Sequence, residues 1–70
     1  MSGSVRVTVN GTPRELRPGT TVSALVDLLA QHSEGIAVAV NREVVTRGLW
    51  GQRELAEGDR VEVLAAVQGG

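Results

Sequence analysis

Val22, Leu25, Val26 and Leu29 recur at i, i+3, i+4 and i+7, and they form the one clear helical face in this chain. The other apolar segments alternate instead. Val5, Val7 and Val9 interleave with Arg6, Thr8 and Asn10, which is the period-2 pattern of a half-buried strand. Ile36, Val38 and Val40 interleave in the same way with Ala37 and Ala39. One helix must therefore cover a sheet, and it must do so within 70 residues. A domain of that size hides only about 60% of the surface its unfolded chain exposes. Without cysteine, neither disulfides nor a thiolate metal site can supplement the core. Val, Leu and Ile together number twenty of the 70 residues, enough for a folded domain rather than a disordered chain.

Turn signals set the order of the elements. Asn10-Gly11 tolerates positive φ and predicts a tight hairpin after the first strand. Pro13 and Pro18 bracket the short, polar stretch Arg14-Glu15-Leu16-Arg17, which reads as an edge strand because proline cannot donate to a ladder. Thr21 is placed to cap the helix, and Gly35 to end it in the left-handed conformation. Asn41-Arg42-Glu43 reads as a turn, Val44-Val45 as a brief strand, and Gly48, Trp50 and Gly51 as parts of a loop. Glu57-Gly58-Asp59 reads as a second tight, solvated turn. The last strand is expected from Arg60 to about Val67, with Val61 and Val63 inward. The first and last strands are the richest in valine, as strands at a sheet centre are. This order predicts an α+β domain of the β-grasp (ubiquitin-like) type, a mixed four- to five-stranded sheet with one helix across one face. The domain is expected over residues 1–64, with a C-terminal tail over 65–70.

Charge excludes several functions. Seven basic residues, all arginine, stand against eight acidic ones, without a block of either sign, and Trp50 is the only aromatic. Nucleic-acid binding needs a clustered positive face and stacking rings, so it is not expected. The longest apolar run, Ile36 to Val40, is far short of the ~20 residues that span a bilayer. Met1-Ser2-Gly3-Ser4 lacks the regions of a signal peptide, which leaves a cytoplasmic protein as the expectation.

Side-chain chemistry is equally sparse. His32 is the only histidine and suits the C-terminal end of a helix as a surface residue. No set of metal ligands is expected, and Ser33 beside His32 does not make a catalytic dyad. The glycines follow no phosphate-loop pattern, and the lysine such a loop needs is missing. The chain is not expected to be an enzyme. Trp50 fits the core of a domain with no other ring better than it fits a partner surface.

The strongest signal is the end of the sequence, Val67-Gln68-Gly69-Gly70. Two glycines after a central strand have nothing to pack, but they make a thin segment that can take any backbone conformation. A carboxylate on Gly70 is inert while ionised and becomes an acyl donor only as a mixed anhydride, for example with AMP. From Ala65 to Gly70 the extended chain spans at most about 20 Å, enough to enter another enzyme's active site.

The sequence resembles the ThiS group of ubiquitin-like sulfur carriers over nearly its whole length. The resemblance rests on the opening strand with Asn10-Gly11, Thr21-Val22 leading to Leu25 and Leu29, and Ala39-Val40-Asn41 before Val44-Val45. Arg47 three residues before Trp50, Leu55 with Gly58-Asp59, and Gly69-Gly70 complete it. Thr46 stands where members usually have proline. The resemblance implies a carrier that is a co-substrate and binds no cofactor itself. An E1-like adenylyltransferase would use ATP and Mg to adenylate the Gly70 carboxylate, with Gly69 beside it. A cysteine desulfurase or other sulfur donor would then convert it to a thiocarboxylate. Thiazole synthase would take the sulfur for the thiazole ring of thiamine. If Val61, Val63 and Ala65 point inward, Leu64 and Ala66 point outward, and with Val67 and Gln68 they form the expected partner surface.

Three alternatives remain at this point. Carriers for molybdopterin or cysteine synthesis share the fold and the Gly-Gly end. A ubiquitin-like protein modifier would attach to target lysines. A passive interaction domain would use no tail chemistry.

Overall fold

The computed structural model describes residues 3–29 and 35–65. The elements are β1 (Val5–Val9), β2 (Thr12–Leu16), α1 (Val22–Leu29), β3 (Ile36–Val40), β4 (Glu43–Val45), a 3-10 turn (Arg47–Leu49) and β5 (Arg60–Ala65). They form a five-stranded sheet in the order β2-β1-β5-β3-β4. β1 and β5 pair in parallel at its centre, and the remaining neighbours are antiparallel. The helix packs on one face. This is the mixed-sheet β-grasp fold expected from the periodicities.

The core is the meeting of the two patterns. Val22, Leu25 and Val26 of α1 are buried against Val7, Val9, Val38, Val40 and Val61 of the three middle strands. Val5, Leu29, Ile36 and Val63 pack at its margin, half-buried. Thr21 caps the helix as expected, its Oγ1 accepting the Ala24 backbone N–H at 3.1 Å. Trp50 is a core residue, 5% exposed, and its Nε1 donates to the Val45 carbonyl at 2.8 Å.

Four details depart from the sequence expectation. β2 starts at Thr12 and so includes Pro13, which lies opposite Thr8. The even-numbered β1 amides point away from β2: Thr8 donates to the Asp59 carbonyl and Asn10 to that of Val61. The Pro13 position therefore lacks no ladder bond, and the proline is tolerated on this edge. Leu16, at the end of the polar stretch, turns inward and is buried. Asp59 is buried rather than solvated. Finally, Glu43, expected in a turn, opens β4 opposite Val40. β5 runs through Ala65, opposite Ile36, within the strand expected from Arg60 to about Val67. Gly35 has the left-handed φ of 73° and sits at the entry to β3. His32, Ser33 and the rest of the expected tail, 66–70, lie outside the described residues.

Candidate functional site

The two faces of β5 part company near its end. Val61 is fully buried, Val63 half-buried, and Glu62 and Leu64 point outward. Leu64 is 67% exposed, on the outer face as its alternation predicts. Ala65 shares the inner side with Val63 but is exposed.

Register extends the outer surface beyond β5. Leu64 lies opposite Ala37, Glu62 opposite Ala39, and Ala39 opposite Val44. Ala37 and Ala39 leave β3 low, and Val44 on β4 is 76% exposed. The result is a shallow apolar strip from Leu64 to Val44, bordered by Glu62. The sequence reading missed Val44. The signal was there: of two adjacent valines in a strand, one must face outward.

On the β1 side of the same face the surface is charged, with Arg6 and Glu15 paired at 3.3 Å. The Arg47 guanidinium lies 5.6 Å from the centre of the Trp50 ring, which is its packing partner rather than part of an open surface. The expected partner residues Ala66, Val67 and Gln68, and the expected acyl-donor residues Gly69 and Gly70, lie outside the described residues. The structure thus places Leu64 on an exposed apolar strip whose strand leads directly into them.

Two turns hold β5 in place. At its start, the Asp59 carboxylate accepts the Ala56 N–H at 2.8 Å and the Asn41 Nδ2 at 2.9 Å, with Arg53 at 3.7 Å. Asn41 also accepts the Arg60 N–H at 2.9 Å. Near its end, the Asn10 carboxamide bonds both backbone groups of Val63. Asn10 and Asn41 both have left-handed φ, 51° and 52°, a conformation asparagine tolerates better than most residues. Among the described residues, no three His, Cys, Asp or Glu side chains come together as a metal site. No described helix is long and apolar enough to cross a membrane.

Residues 7–70 match the ThiS family. The chain belongs to that family. It is 38% identical to the sulfur carrier protein ThiS of Thermus thermophilus, over 91% of this chain and 98% of that one. With the sulfur carrier protein ThiS of Escherichia coli it shares 29% identity over 94% of its length and all of the relative's. It also matches the thiazole synthase of Magnetococcus marinus at 36% identity, and there it spans only 20% of the relative. The crystal structure of a thiamine biosynthesis protein (ThiS) from Geobacter metallireducens superposes with a TM-score of 0.80 at 30% identity. That comparison covers 94% of this chain and all of the other. The fold and the family read from the sequence agree with these relatives.

Proposed function

We propose that this chain is the sulfur carrier for thiazole formation in thiamine biosynthesis, a co-substrate that contributes no catalytic side chain. One observation carries the reading: the family match runs from residue 7 through Gly70 and so takes in the Gly69-Gly70 pair. In this reading an E1-like adenylyltransferase in the cytoplasm binds the chain together with ATP and Mg. The Gly70 carboxylate attacks the α-phosphate, pyrophosphate leaves, and a mixed anhydride with AMP forms. Sulfur from cysteine, carried by a desulfurase as a persulfide, displaces AMP to give an acyl disulfide, and a thiol reductant cleaves its S–S bond to leave a Gly70 thiocarboxylate. A donor that supplies sulfide displaces AMP and gives the thiocarboxylate directly. Thiazole synthase then takes that sulfur. The matches to proteins named thiazole synthase favour this acceptor over those of the molybdopterin and cysteine routes.

The strip around Leu64 is the docking surface in this account, continued by Ala66, Val67 and Gln68. An apolar patch beside a reactive end lets the partner bind the domain while the end threads into its active site. Leu64→Glu is expected to weaken binding to the adenylyltransferase and leave the melting temperature unchanged, because the side chain is 67% exposed.

Sulfur consumption tests the pathway. The thiocarboxylated chain is offered separately to thiazole synthase, to molybdopterin synthase and to cysteine synthase. Thiazole synthase alone is expected to return the unmodified carboxylate. Consumption by one of the others would move the chain to that route, and amide-linked conjugates with other proteins would favour the modifier reading.

A further inference from the structure

On its β1 side, β5 outruns its partner. The parallel register ends with Val9 beside Val61, and the Asn10 backbone N–H gives the last rung, to the Val61 carbonyl at 2.9 Å. The chain then turns away through Asn10 and Gly11, both at positive φ, into β2. The next β5 residue facing this edge is Val63, and among the described residues no strand backbone lies beside it on this side. The Asn10 side chain takes that place. Its Oδ1 accepts the Val63 N–H at 2.9 Å and its Nδ2 donates to the Val63 carbonyl at 3.1 Å. One carboxamide thus reproduces both bonds that a strand residue would make.

Asn41 does the corresponding job at the other end and on the other edge of β5. Its N–H donates to the Arg60 carbonyl at 2.8 Å and its Oδ1 accepts the Arg60 N–H at 2.9 Å. The two asparagines differ in what lies beyond them. Asn41 fixes the entry of the strand. Asn10 fixes the last residue of β5 held from both sides among the described residues, where Leu64 and Ala65 pair with β3 alone. Gly70 follows seven positions after Val63.

We infer that Asn10 is a positioning residue, its carboxamide a surrogate strand that fixes the end of β5, to which residues 66–70 are joined. The inference rests on the carrier reading for its use, since only a chain that presents its end to a partner gains from a fixed exit. Without the clip, Leu64 and Ala65 fray from β3 and must be ordered again each time the partner binds. Reordering two residues that are only partly frayed is comparable to ordering one residue's backbone in full, worth about tenfold in affinity. The loss therefore falls on binding of the carrier and not on the chemical step.

Asn10→Gly removes the carboxamide while glycine keeps the left-handed turn free of strain. Asn10→Asp keeps the acceptor for the Val63 N–H and loses the donor. Asn41→Gly is the structural control, with side-chain bonds also lost on β5 but at its entry. Val63 amide exchange is measured first, below the melting transition. It is expected to accelerate about tenfold in Asn10→Gly, less in Asn10→Asp, and not selectively in Asn41→Gly. Adenylation with ATP, Mg and the cognate adenylyltransferase is measured next. The KM for the carrier is expected to rise about three- to tenfold in Asn10→Gly with kcat unchanged, and to stay at the wild-type value in Asn41→Gly. Unchanged Val63 exchange in Asn10→Gly overturns the inference. So does an unchanged KM, or an equal rise in Asn41→Gly. A wild-type chain that accepts no AMP overturns the carrier reading instead, and the exchange data then decide the clip by themselves.

Discussion

Replacing Asp59 tests whether a buried carboxylate, and not only the valine core, holds β5 in the sheet. Its side chain is 10% exposed and accepts the Ala56 N–H at 2.8 Å and the Asn41 Nδ2 at 2.9 Å. A hydrogen bond to a charged group contributes about 1.5–3 kcal/mol net. Ala56 and Asn41 are themselves exposed, so water replaces part of what Asp59→Ala removes, and the low end applies. The Ala variant should lose roughly 2–3 kcal/mol. Asp59→Asn keeps the shape but sets an NH2 group against one of two donors. Turning the Asn41 amide over does not help, because its Oδ1 already serves the Arg60 N–H at 2.9 Å. One bond is lost whichever way the new amide points, at about 1.5 kcal/mol. A domain of this size has only about 3–5 kcal/mol in all. At about 4–8 °C per kcal/mol, the melting temperature should fall by roughly 10–20 °C for Ala and about half of that for Asn. Thermal melts followed by circular dichroism read this directly. An Ala variant melting within about 3 °C of wild type would show that the Asp59 bonds are not what fixes the start of β5.

Two further substitutions probe the core and the second turn. Leu25 is 0% exposed beneath the sheet, so Leu25→Ala should cost roughly 2–5 kcal/mol and leave much of the population unfolded in a urea titration at room temperature. Arg42 holds a φ of 74° in the turn between β3 and β4, where glycine is the natural occupant. Arg42→Gly should therefore raise stability by about 0.5–1 kcal/mol, and a lowered melting temperature would refute the strain argument.

The legible parts of the fold were those with long, regular patterns. Alternation at Val5, Val7 and Val9, the four-residue helical face and Asn10-Gly11 each fix a local conformation, and their sum leaves few ways to cover one sheet with one helix. What the sequence hid were side chains acting at a distance. Asp59 sits in a Glu-Gly-Asp turn that reads as solvated, and only the fold brings it beside Asn41, 18 positions away. Asn10 reads as a turn residue, and its bonds to Val63 span 53 positions. Leu16 looked like a lone apolar residue in a polar strand until the sheet order turned it inward. For the candidate site, the outward face of Leu64 followed from strand parity. Its continuation through Ala37 to Val44 required the register between strands, which periodicity within one strand does not supply.

The carrier account stands or falls on the Gly70 carboxylate. Wild-type chain and a variant lacking Gly70 are each incubated with ATP, Mg, the cognate adenylyltransferase and a sulfur donor, and their intact masses are measured. Removing Gly70 leaves every described residue in place and moves the carboxylate back by about 3.5 Å, out of line with the α-phosphate. In a closed site a misplacement of about 1 Å already costs on the order of a hundredfold in rate. The account predicts that the wild type gains the mass difference between sulfur and oxygen, while the shortened chain, equally stable, keeps its original mass. A shortened chain that acquires sulfur at the wild-type rate, or a wild type that acquires none, would contradict it.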